Sequence, residues 1–332
     1  MVSSPDIRVN VRPGPPGSVS LAQCRPWSGP GSTPKGAGNV ETSTSAATTA
    51  RTMWALYEPI HAVAYFAPEA LAAYEDAGLR GFWRGYFAGR AAPLGPVGPE
   101  PVVASFFTFA PAMVARALPD VWSLTAPERA LELRRAGATA ALTRLLAGHE
   151  REVERAAEAL VPRAAGLDGS GRVLAAANGA LDFPDKPLER LWHATTLLRE
   201  HRGDGHVAAL VAAGLDGCEA LVLRSAVDLP RAELQPHRGW TDQEWHAAAQ
   251  RLTDRALLAP DGAATATGRD LLGTAETATD QAAERPWRPL APEQVTTLTE
   301  LLTPLTTACA TALRFPNPIG VPRPVGVQKP TG

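Results

Sequence analysis

Cysteine is scarce: Cys24, Cys218 and Cys309 stand far apart in 332 residues and match no metal-ligand spacing. An odd, sparse set builds no disulfide framework and suits a reducing compartment. Basic residues are not in excess either, since 32 Lys and Arg face 34 Asp and Glu for a formal net charge of −2. The chain therefore lacks the long-range positive field that draws proteins to nucleic acid or anionic lipid, although a local patch would serve. Long apolar runs are missing too. The longest, Phe106 to Leu118 (FFTFAPAMVARAL), is too short to span a bilayer and is broken by Pro111. The first residues hold no continuous apolar stretch of the kind a secretory signal needs. P-loop, G-x-G-x-x-G and G-x-S-x-G signatures are also missing, which leaves nucleotide-dependent and α/β-hydrolase chemistry without support. The expectation is a cytoplasmic protein with no membrane partner.

What is present divides the chain. Residues 1–52 are rich in Pro, Gly, Ser and Thr (RPGPPGSVS, ETSTSAATTA), too poor in apolar surface to offset ordering entropy, and are expected to be unstructured. Met53 directly precedes the first patterned segment and would serve as an alternative translation start. From there, MWALYEPIHAVAYF reads as a helix to Phe66, followed by a helix opened by Pro68 and stopped at Gly78. The aromatics around GFWRGYFAGR imply a dense core, and further amphipathic helices follow. Two apolar helical patterns, KPLERLWHATTLLREH and HVAALVAAGLDGCEALVLRSAV, flank RGDG, whose glycines suit a turn. Thr241 then caps a helix, ALLAP-DG-AATAT reads as two short strands about an Asp-Gly turn, and Gly268 opens another helix. A last helix runs from about Pro292 to Leu313, ahead of a Pro-rich tail. The expected fold is all-α with a small β-wing. A helical region over 53–225 would be followed by a winged-helix-like region over 226–290, then by a terminal helix and tail over 291–332.

The stretch TDQEWHAAAQRLTDRALLAPDGAATATGRDLL resembles the recognition helix and wing of MarR-type winged-helix proteins, with Thr265, Gly268, Arg269 and Leu271 at its T-x-x-G-R-x-L helix start. EPIHAVAYFAPEA, LWHATTLLREHRGDGHVAAL, GWTDQEW and FPNP together resemble an uncharacterised family of actinobacterial proteins, in which a helical region precedes a winged-helix-like part. The first resemblance implies duplex DNA as a partner. Charge opposes it: between Gly239 and Pro286 four basic residues face eight acidic ones. A groove-reading helix normally brings Arg and Lys to phosphates and base edges. Winged helices also serve as packing or dimerisation modules, so a homodimer is compatible with the pattern and the fold does not assign the function.

The densest set of ionisable groups is LREHRGDGHVAAL, with Glu200, His201, Arg202, Asp204 and His206 inside seven residues. Either it is a solvated corner between helices, or the apolar flanks bury it and make it a site, because buried charges need partners. On the second reading His61, His193, Glu200, His201 and His206 line one small-molecule pocket between the two regions, with Arg202 or Asp204 orienting them. Tyr65, Trp83 and Arg84 would add an aromatic and cationic wall, which core packing and ordinary ion pairing explain equally well. In a catalytic pocket, histidine is the natural acid or base near neutral pH. The spacing of these residues matches no metal motif such as H-E-x-x-H, and no cofactor is specified.

Overall fold

The computed structural model describes residues 40–324. Fifteen α-helices are seen among them: α1 Val40–Phe66, α2 Pro68–Asp76, α3 Phe82–Ala91, α4 Pro99–Phe106, α5 Pro111–Ala115, α6 Val121–Leu124, α7 Pro127–Leu145, α8 Glu150–Ala165, α9 Val173–Gly179, α10 Pro187–Ala212, α11 Gly217–Ser225, α12 Arg231–Leu234, α13 Asp242–Asp254, α14 Ala266–Ala282 and α15 Pro292–Ala310. Helix α1 begins well ahead of Met53, so residues 40–52, expected in the unstructured extension, are helical; residues 1–39 lie outside the described residues. Proline and glycine punctuate the chain locally. Pro68 takes the first position of α2 and leaves Ala67 extended, as the residue before proline must be. Gly78, at φ +86°, stops α2 in the left-handed conformation that glycine adopts without penalty.

Helix α10 is the axis of the molecule and packs on α8, α14, α9, α1 and α7. It runs through RGDG without a break, which corrects the expected turn. Gly203 and Gly205 take helical rather than positive-φ conformations. The reason for one of them is steric. A Cβ on Gly205 would lie 2.7 Å from Arg172 Nη1 and 3.1 Å from the Ala282 methyl, so only glycine lets α14 and Arg172 come this close. Arg172 uses the gap to donate to the backbone carbonyls of His201 and Ala282. Asp204, buried beside it, accepts the Ala175 N–H at 2.9 Å and satisfies a donor in the first turn of α9. Glycines that signal a turn in isolation are here the point where helices meet.

The three larger apolar cores among the described residues follow from these contacts. One joins α1, α7, α8, α10 and α15 around Tyr57, Ile60, Leu142, Leu160 and Trp192. The aromatic set Trp83, Tyr86, Phe87, Phe106 and Phe109 forms a second. The third belongs to the C-terminal part, where Leu223, Leu234, Trp245, Leu252 and Leu258 gather α11, α12, α13 and α14. Within that part, α12 and α13 flank a turn at Gln235–Trp240. Thr241 Oγ1 accepts the Glu244 N–H, and the Glu244 carboxylate accepts the Thr241 N–H, a reciprocal cap that starts α13 where the sequence places it. The β-wing is corrected: no strand forms among the described residues, and the Asp261–Gly262 hairpin holds one antiparallel bridge, Leu258 to Ala264. Its Ala, Pro, Asp and Gly residues are poor strand formers and supply no second rung. Helix α15 returns to pack on α1 and α8.

Candidate functional site

A cleft of about 820 Å³ opens where α14, the helix after the hairpin, meets α1, α10 and the segment that follows α15. Its polar wall is a chain of ion pairs. Arg202 of α10 lies over the Trp54 ring at 4.5 Å and donates to Asp280 Oδ1 at 2.8 Å. Arg51 of α1 grips the same Asp280 through Nε and Glu276 through Nη2 at 2.6 Å. Two arginines from the helical body thus hold two carboxylates of α14. His206 sits beside them, with Nδ1 3.0 Å from Thr279 Oγ1. That hydroxyl already donates to the Ala275 carbonyl, so Nδ1–H is the donor to it and Nε2 keeps its lone pair. Burial pushes the His206 pKa down to about 4 against the pull of Glu276, and the ring is neutral at pH 7. Leu56, Leu272 and Ile319 supply apolar wall.

A buried charge network runs inward from the cleft, whose lining includes its Glu58 and Arg199. Glu200, 1% exposed, receives Arg90 at two 3.2 Å contacts and Arg199 at 2.7 Å. Arg199 also reaches Glu58, which accepts the Trp54 indole N–H at 3.1 Å. Two cations and two carboxylates balance. Burial alone would raise the Glu200 pKa, yet the adjacent Arg199 and Arg90 hold it well below the usual carboxylate range. His61 is a fully satisfied core histidine: Thr196 Oγ1 lies 3.0 Å from Nδ1 and the Tyr65 hydroxyl 2.8 Å from Nε2. Thr196 donates to the Trp192 carbonyl, so the ring donates from Nδ1 and accepts the Tyr65 proton at Nε2. Burial, with Arg199 adding to it, keeps the His61 pKa far below its ordinary value.

The expected common pocket is therefore divided. Of its residues, Arg202 and His206 line the cleft, while Glu200 and Tyr65 lie in the network behind it. His193 lines a separate recess with Arg134, Leu181 and Pro184. His201 is buried among the charges of Arg172, Arg285 and Asp168. Burial first, then neighbouring arginines, lowers the pKa of each of these two rings to about 4. Asp204 caps α9, and burial raises its carboxyl to about 6. Trp83 and Arg84 belong to another hollow, at the aromatic core beside Pro236 and Gly239 of the turn between α12 and α13. An unbroken helix explains the dispersal. His193 and His206 are thirteen residues apart, about 20 Å along the axis and on opposite sides of it. Sequence reasoning missed Arg51, Arg199, Glu276 and Asp280, whereas Arg90, read beside Arg84 as an anion binder or the partner of a Glu or Asp, pairs with Glu200. The legible signal was Arg199–Glu200 in an otherwise apolar stretch, since a charge there demands a partner.

On α13 the outward residues include Asp242, Gln243, Glu244, His246, Gln250 and Asp254. Its arginine is engaged: Arg251 pairs with Asp216 at 2.6 Å and Glu219 at 2.8 Å, and Arg255, just after the helix, reaches Glu219 at 3.3 Å. Both guanidiniums fasten α13 to the start of α11. The outward face of α13 carries more acid than base.

Searches of curated proteins and of solved structures return no match. The sequence profile of the helix–turn–helix family matches residues 50–316, which spans the helical body, the α12–α13 unit and the returning α15. With most of the chain inside that match, the protein belongs to the helix–turn–helix family.

Proposed function

We propose that this helix–turn–helix protein binds a small molecule in the cleft between α1, α10 and α14. The observation that carries the reading is the cleft's size and place. Its 820 Å³ lies within the range of small-molecule sites, roughly 300–1,000 Å³. It joins an apolar wall to convergent polar groups, and one of its walls is the helix that packs under α11 and the hairpin. A ligand bridging Trp54, Arg202 and His206 on one side and Leu272 on the other would bind the two parts of the chain together. The test uses Gly273→Phe. A Cβ at Gly273 meets nothing within 4 Å, so the new ring grows into open space in the cleft. Purified protein is equilibrated with a metabolite extract, washed and denatured, and the released compounds are identified by mass spectrometry. A compound retained by the wild type and lost from Gly273→Phe supports the site. Nothing retained, or equal retention by both, sinks it.

A second reading, a MarR-like regulator that binds duplex DNA, draws on the family match and on the cleanly capped α13. The engaged arginines of α13 count against groove contact by that helix. Fluorescence anisotropy with a mixed-sequence duplex at two salt concentrations decides it: binding that weakens steeply with salt supports the regulator, and no binding at low salt removes it.

A further inference from the structure

We propose that a second, smaller recess, between α7, α10 and the segment at 181–184, is a binding site for a small oxyanion held by Arg134 and His193. The recess is separate from the cleft and does not depend on the reading given to it.

Arg134 of α7 is 6% exposed. Its Nη2 donates to the neutral Asn178 Oδ1 at 3.0 Å, and its guanidinium lies 5.5 Å from the centre of the Trp192 ring. Its buried Nε has no hydrogen-bond partner, and no carboxylate comes within ion-pair reach among the described residues. Arg90 and Arg202, the comparably buried arginines, each hold a carboxylate. An uncompensated buried cation is among the costliest features a fold can carry. His193, 5% exposed, repeats the pattern: its Nε2 is buried with no partner. Both residues line one recess of about 200 Å³, with Trp192, Leu181 and Pro184. Both unpartnered atoms belong to side chains that line this one recess, and the guanidinium there lacks an acceptor carrying negative charge. An oxyanion supplies the counter-charge to the guanidinium; the His193 ring donates to the Leu181 backbone, which leaves Nε2 as an acceptor for a protonated oxygen of the anion, as in hydrogen phosphate. The volume falls below the roughly 300 Å³ at which drug-sized ligands begin, which selects a carboxylate- or phosphate-sized group. Three other charged residues line the recess and none pairs with Arg134: Glu132 is engaged by Arg129, Arg135 leans to Glu189, and Asp182 is exposed.

The test is calorimetric titration of the full chain with sodium acetate and, separately, sodium phosphate at constant ionic strength. The wild type is expected to take up one anion per chain with saturable heat, and Arg134→Gln and His193→Gln to bind at least about tenfold more weakly. Gly273→Phe, which fills the other cleft, should bind as the wild type does. If Arg134→Gln fails to fold, His193→Gln and an anion-dependent shift of the His193 ring resonances carry the decision. Absence of saturable binding to the wild type overturns the proposal, as does unchanged affinity in the folded variants. Loss of binding in Gly273→Phe also overturns it, because the anion then belongs to the arginines of the cleft.

Discussion

Replacing Gly203 and Gly205 one at a time by alanine distinguishes a continuous α10 from a turn at RGDG. Both glycines lie inside the helix with ordinary φ, so each Gly→Ala change gains the intrinsic helix preference of alanine, about 1 kcal/mol. At Gly203 nothing opposes the gain. The nearest atoms to a new Cβ are Arg199 Nη1 and Glu200 Oε2, both at 3.8 Å, ordinary contact distance. Gly203→Ala should therefore stabilise by about 0.5–1 kcal/mol. At Gly205 the new methyl meets Arg172 Nη1 at 2.7 Å and the Ala282 methyl at 3.1 Å. Arg172 must leave, which strips its hydrogen bonds from the His201 and Ala282 carbonyls and takes a charged donor from both. That loss, about 1–3 kcal/mol, exceeds the helix gain and leaves Gly205→Ala destabilised by about 1 kcal/mol net. The two variants should differ by roughly 2 kcal/mol with opposite signs. Urea unfolding followed by tryptophan fluorescence measures both. A destabilised Gly203→Ala, as a left-handed turn glycine would give, refutes the argument, and so do two shifts of the same sign.

Glu200→Gln leaves Arg90 and Arg199 buried with one carboxylate fewer and should cost about 3–5 kcal/mol in the same assay; a loss below about 1 kcal/mol would mean that water reaches the network. Stability should fall as pH drops from 6.5 towards 4. The unfolded chain protonates His193, His201 and His206 from pH 6.5 down while the folded chain waits until about 4, a loss of roughly 2 kcal/mol each at pH 5. Asp204, raised to about 6, takes its proton first in the folded state and gives back about 1 kcal/mol, so the sum remains a loss; equal stability at pH 7 and pH 5 would contradict it. Gly137→Ala places a Cβ 2.7 Å from the Ala70 backbone, where α2 crosses α7, and should cost about 1–3 kcal/mol; an unchanged melting temperature would show that the crossing can open.

The sequence by itself determined where most helices begin and end. Pro68 starts α2 and Gly78 stops it, and Thr241 with Glu244 caps α13, because proline geometry, glycine freedom and side-chain caps act within four residues and need no distant partner. It also marked Glu200 as a charge in an apolar stretch that had to be compensated. Only the tertiary structure decided the rest. RGDG could bend or continue, since glycine allows either, and the close approach of Arg172 and Ala282 chose the helix. That choice sent His193, His201 and His206 to three different surroundings and left His61 bonded to Thr196 and Tyr65. Helix boundaries are local, whereas the counter-charges of Arg51 and Arg90 and the Thr196 partner of His61 come from residues more than a hundred positions away. Arg90 meets Glu200, and Arg51 meets Asp280, only after the chain has folded.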